Sequence, residues 1–140
     1  MLTITNAPTP KTLEALRSGV LDFGVVSDDG ETAFLGEEFI TLEVKKIRDV
    51  FAVPPTHPLA KKESVSHSEL SDYPVIMLEK NSSTRRYIDR IFGDEIQPRV
   101  ELATSDLILE FARRNMGIAS IVEDFVRDDL ERGTLVKLNV

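Results

Sequence analysis

The sequence predicts an α/β fold, because short apolar segments of strand length alternate with amphipathic segments of helix length along the whole chain. Two further observations support this. The runs Val50-Phe51-Ala52-Val53, Val75-Ile76-Met77-Leu78 and Ile118-Ala119-Ser120-Ile121-Val122 are almost continuously apolar, as strands covered on both faces are. Each amphipathic segment also opens on small hydroxyl or acidic residues and closes on glycine or asparagine, the usual helix start and stop signals.

In chain order, Leu2 and Ile4 alternate with threonines as a short strand. Thr9-Pro10 opens a helix with threonine as N-cap and proline in the first helical position, Leu13 and Leu16 inward, and Gly19 as its stop. Residues 20–26 read as a largely buried strand, so the opening is a strand–helix–strand unit suited to a parallel sheet. Asp28-Asp29-Gly30 is a turn leading into a loop that runs to Gly36. Residues 39–53 form one long or two shorter strands, which Pro54-Pro55-Thr56-His57-Pro58 must end, since three prolines in five residues bar strand and helix alike. Residues 61–66 connect to a helical turn at Ser68-Glu69-Leu70 and a buried strand at residues 75–78.

The next helix, residues 84–92, turns Tyr87, Ile88, Ile91 and Phe92 inward, and Gly93 closes it. Residues 98–103 are a strand, and residues 105–114 a helix burying Leu107, Ile108, Phe111 and Ala112. Asn115 stands at its left-handed end, where asparagine is the best substitute for glycine. A strand over residues 117–122, a helix over 123–132 stopped by Gly133, and a strand over 135–138 complete the chain.

At 140 residues the chain is of single-domain size, and 41% apolar with 29% charged residues is a globular composition. The net charge of −7 argues against a broad nucleic-acid surface, which needs a basic face. The absence of cysteine excludes a disulfide frame and a thiolate metal site, and fits a reducing cytoplasm. Neither a signal peptide nor an apolar run of membrane-spanning length is present, so a soluble, cytoplasmic protein with no membrane partner is expected.

The chemistry-bearing groups favour binding over catalysis. Ser82, Ser83 and Thr84 follow a strand at the opening of a helix, where hydroxyls and free N–H groups suit an anion; a plain N-cap is the simpler reading. The same two readings apply to Thr9, and to Thr104 and Ser105, where Ser105 with Asp106 already makes a good helix start. Arg85 and Arg86 stand in a first helical turn against the dipole, either solvated or facing a carboxylate. Neither His57 nor His67 has a second ligand at metal spacing, and His57 reads as locking its turn with a hydrogen bond. Glu79, Glu123 and Asp22 lie at strand ends, but carboxylates are too frequent here for a chance pair to signal acid–base catalysis. No catalytic residue, metal or cofactor is expected.

Five stretches in order carry a family resemblance. They are Thr12-Leu13-Glu14-Ala15-Leu16-Arg17-Ser18-Gly19-Val20-Leu21-Asp22-Phe23-Gly24-Val25-Val26; Val53-Pro54-Pro55-Thr56-His57-Pro58-Leu59-Ala60; Leu70-Ser71-Asp72-Tyr73-Pro74-Val75-Ile76; the helix start Ser82-Ser83-Thr84; and Leu102 to Val122 with Gly133-Thr134-Leu135-Val136-Lys137-Leu138 downstream. With these the chain resembles the effector-binding domain of LysR-type transcriptional regulators. The resemblance implies a type II periplasmic-binding-protein-like fold, with two α/β subdomains joined by crossover strands around a cleft. Projected onto this chain, it implies a partial, incomplete subdomain I over residues 1–52, subdomain II over 53–135, and a crossover back over 136–140. Ala52, Val53, Pro54, Leu135 and Val136 are the implied hinge.

Effector contacts are implied at Thr9, Ser82, Ser83, Thr84, Thr104 and Ser105, for a small, anionic effector. The parent protein would be a homodimer or tetramer that meets DNA only through an N-terminal helix-turn-helix missing here, the chain looking truncated at both ends. A solute-binding protein of a transporter and an enzyme on the same architecture are the alternatives.

Overall fold

The computed structural model describes residues 1–28 and 38–140. Its framework is a sheet of strands β1 (Asp49–Val53), β2 (Val75–Leu78), β3 (Val100–Leu102), β4 (Ile118–Val122) and β5 (Val136–Lys137), in the spatial order β3-β2-β4-β1-β5. β2 runs parallel to both β3 and β4, while β1 is antiparallel to β4 and to β5. The parallel pairs need crossovers, and α3 (Ser83–Phe92) and α4 (Ser105–Arg113) supply them. α5 (Glu123–Arg132) follows β4 directly, α2 (His67–Ser71) precedes β2, and α1 (Thr9–Arg17) lies in the N-terminal segment.

Side-chain alternation divides the core between the two faces of the sheet. Phe51, Val53, Val75, Met77 and Ile118 pack with Leu70 of α2 and Ile88 of α3 on one face. Val50, Ala52, Ile76, Ala119 and Ile121 pack with Ile108, Leu109 and Ala112 of α4 and Val126 of α5 on the other. The continuous apolar runs read from the sequence have this cause: both faces are covered.

The N-terminal segment differs from expectation. Residues 2–4, 20–26 and 39–48 enter no ladder among the described residues, and Leu2, Ile4, Val20, Phe23, Val25, Ile40, Leu42 and Val44 are exposed. Alternation and propensity favour an extended chain, but a strand exists only when a neighbour takes its N–H and C=O groups, and no described segment does so. The expected turn and loop over residues 29–36 lie outside the described residues.

Helix faces shift in detail. In α3 the inward stripe is Arg85, Ile88 and Phe92, at i, i+3 and i+7, with the Phe92 ring 5.6 Å from that of Phe51. Ile91, expected inside, falls beside this stripe and is exposed, as is Leu107 beside the Ile108–Leu109–Ala112 stripe of α4. The stops fall where expected, Asn115 at φ 57° and Gly133 at φ 74°.

His57 locks its turn as the sequence suggested. Its Nδ1 accepts the Leu59 N–H at 3.2 Å, its ring lies 4.7 Å from that of Tyr73, and burial pushes its pKa down. α4 and α5 are tied by Asp129, a buried carboxylate that accepts from Arg113 Nε and Nη2 at 2.7 and 2.8 Å and from the Thr134 hydroxyl at 2.7 Å. Those contacts, the Arg113 hydrogen bond foremost, hold its pKa below the ordinary value. A lowered folded pKa stabilises the fold above the unfolded value of about 3.9, and the contribution is lost as pH falls through the folded one. Asp129→Asn is therefore expected to flatten the acid limb of a plot of Tm against pH below about pH 4. An unchanged acid limb would show that the pair is not felt in stability.

Candidate functional site

Parallel β2, β3 and β4 end on the same edge of the sheet, so the helices that follow them start on that edge. A cavity of about 580 Å³ opens there. Ser82, Ser83 and Thr84 line it from the start of α3, Ser105 from α4, Val122 from the end of β4, and Asp124 and Phe125 from α5. The N-terminal segment faces them with Pro8 and Thr9 at the start of α1 and with Val25, Val26 and Ser27. Four helix N-termini thus meet on one cavity, each with first-turn N–H groups that have no partner within the helix and each at the positive end of its dipole.

The hydroxyls differ in what they do. Ser82 is the N-cap of α3, its Oγ accepting the Arg85 N–H at 3.0 Å. Ser83, only 6% exposed, has an Oγ with no hydrogen-bond partner among the described residues. The start of α1 is corrected by one residue: Pro8 is the N-cap position and Thr9 the first helical residue, its hydroxyl donating to the Ser27 carbonyl at 3.5 Å. Thr104 stands outside the cavity lining. It is exposed and caps α4, its Oγ1 accepting the Leu107 N–H at 3.5 Å.

Arg85 does not face the cavity as a carboxylate clamp. It is 2% exposed and engaged with Asp89 at 2.7 Å, Glu101 at 3.3 Å and the Leu78 carbonyl at 3.2 Å. The cations on the cavity come from elsewhere: Lys45 meets Asp124 at 2.5 Å, and Arg127 also pairs with Asp124. The Lys45 hydrogen bond, chiefly, holds Asp124 below the usual carboxylate range. Two cations share this carboxylate, so the local balance is positive, as it is at the helix starts.

Sequence reasoning missed Lys45, Asp124 and Arg127; their only local signals were a short basic run before β1 and acidic residues opening α5. Glu79 and Asp22 do not line the cavity, and Glu123 is engaged with Lys137 at 2.7 Å. The implied hinge residues lie together, Val53 facing Val136 in the β1–β5 ladder with Ala52, Pro54 and Leu135 beside them.

A family model described as the LysR substrate binding domain matches residues 2–140. The chain belongs to the LysR substrate-binding family. Among the relatives of this LysR domain is the RuBisCO operon transcriptional regulator of Allochromatium vinosum, 28% identical over 94 residues, which are 65% of this chain and 31% of that protein. The probable hydrogen peroxide-inducible genes activator of Mycobacterium avium is 34% identical over 84 residues, covering 60% of this chain and 26% of that one. The chain thus spans less than a third of the curated relatives it matches.

In structure, the effector binding domain of QuiR in complex with shikimate superposes with a TM-score of 0.76 at 21% identity, over 96% of this chain and 62% of that one. The type II periplasmic-binding-protein-like fold of LysR regulatory domains is therefore shared. No helix among the described residues is long and apolar enough to cross a membrane.

Proposed function

We propose that this LysR domain senses a small anionic metabolite, held in the cavity where four helix starts meet, and so modulates DNA binding by a parent regulator. The observation that carries this is the convergence itself: Thr9, Ser82, Ser83, Thr84 and Ser105 line one cavity together with the Lys45–Asp124–Arg127 cluster. The relatives, being transcriptional regulators, support a sensor in the cytoplasm over an enzyme.

On this reading the residues that precede β1 are one side of the cleft and the sheet with its helices, from β1 to β5, is the other, so the boundary projected at residue 52 falls instead ahead of Asp49. The effector favours the form in which both sides contact it, because only a difference in affinity between forms shifts their balance. Rotation of one side against the other, about the chain that enters β1 and the chain that leaves β5, would carry that difference to the DNA-binding heads of a dimer or tetramer.

A thermal-shift screen of organic acids, amino acids and oxyanions tests it, since a ligand of the folded state at about 100 times its Kd stabilises by about 2.7 kcal/mol. Ser83→Ala combined with Thr84→Ala is expected to weaken binding of the best hit about tenfold or more. The stability of the unliganded domain should fall by less than about 1 kcal/mol, because the capping bond belongs to Ser82. Proportional losses in both would reduce these hydroxyls to helix-start residues, and a screen without hits would remove the sensor reading.

A further inference from the structure

A side pocket of about 90 Å³ adjoins the cavity and shares Ser27, Ile47, Ser83 and Thr84 with it. Asp49, the first residue of β1, lines this pocket. Strand alternation puts Asp49 on the same face as Phe51 and Val53, which are buried in the core beneath α3. At such a position an apolar side chain would complete the core. The carboxylate instead has a buried Oδ1 with no hydrogen-bond partner among the described residues, and burial pushes its pKa up to about 6. An orphaned buried acceptor is a cost to the fold of a size that few sites carry without a purpose. Ser83, whose Oγ is also buried and without a partner among the described residues, lines both side pocket and cavity. Asp28 and Tyr87 complete the polar lining, and among the described residues no lysine or arginine lines the pocket.

We infer that Asp49 is a specificity-determining residue that accepts a hydrogen bond from a hydroxyl or ammonium group of the effector, which is therefore a hydroxy acid or an amino acid and not a plain acid. This rests on the sensor reading of the same cavity. A carboxylate repels the anionic end of such a ligand, so that end lies at the helix starts and the donor lies at Asp49. Ser83 and Thr84, common to both spaces, sit between the two ends. The side pocket has room for one small substituent and the carbon that bears it, so the donor belongs within a few atoms of the acid group.

The test is calorimetric titration of the full chain with organic acids in matched sets of one carbon skeleton each, plain, hydroxylated and aminated. In the set that binds best, the donor-bearing member is expected to bind at least about tenfold tighter than its plain counterpart. Asp49→Leu should erase that preference. Asp49→Asn, nearly isosteric and kept as the variant in case leucine disturbs the fold, should sharply reduce a preference for ammonium and more mildly reduce one for hydroxyl, which tells the two donors apart. Equal binding of plain and donor-bearing acids by the wild type, or a preference that survives in Asp49→Asn at full size, overturns the assignment and leaves the sensor reading standing. Failure of every acid to bind overturns both.

Discussion

Arg85→Ala is expected to destabilise the domain by about 3 kcal/mol, lowering Tm by roughly 10 °C. The guanidinium is 2% exposed and holds three separate elements: Asp89 one turn along α3, Glu101 on β3, and the Leu78 carbonyl at the end of β2. Alanine leaves a void along the stem and a carbonyl without its donor. Asp89 and Glu101 are each 40% exposed and regain water, so the loss stays at the lower end of the range for a broken buried pair. The same contacts fix where α3 begins over the sheet edge, so ligand binding at Ser83 and Thr84 should weaken as well. Arg85→Met separates the two effects: it refills the volume and recovers much of the stability, yet lacks the bonds that set the helix start. Chemical denaturation beside ligand titration reads both. Equal binding by Arg85→Met and wild type would show that packing alone places the helix.

Gly117→Ala should be nearly as damaging, at about 2 kcal/mol and roughly 5–10 °C in Tm. A methyl group there would stand 2.6 Å from the Pro74 carbonyl oxygen and 3.0 Å from Ile76 Cγ1. The carbonyl cannot retreat freely, because the Ile118 N–H donates to it at 2.8 Å as β4 comes alongside β2. Either that bond lengthens or β4 shifts in register against β2. A Tm within about 2 °C of wild type would show that the strand ends yield more easily than this packing implies.

How much of this was legible in the sequence depended on the range of the interaction involved. α5 could be read residue for residue, since Glu123 and Asp124 open it and Gly133 closes it within one window. β2 and β4 were legible because a sheet covered on both faces writes continuous apolar runs. The expected strand at residues 20–26 had the same pattern and no partner among the described residues, and pairing is a property of two segments that neither carries alone. At the site, Ser82, Ser83 and Thr84 stood out through local hydroxyl chemistry. Lys45 and Asp124 meet across 79 residues of chain, a separation at which no spacing rule operates. Asp49 was hidden for another reason: a carboxylate just before an apolar run looks like an ordinary strand boundary, and only the fold reveals that its oxygen lacks a donor.

The antiparallel edge of the sheet has a consequence for how the protein is made. Of the five strands of this sheet β1 leaves the ribosome first, yet its two neighbours are β4 and β5, the last two of the five to appear. A nascent chain that has emerged only through α4 carries the unpaired backbone of Val50, Phe51, Ala52 and Val53 with nothing to close against. Parallel β2 and β3 can meet early around α3, whereas the seam at β1 waits until β4 and β5 have been made. The last strand of this sheet to be synthesised is thus the one that seals its first.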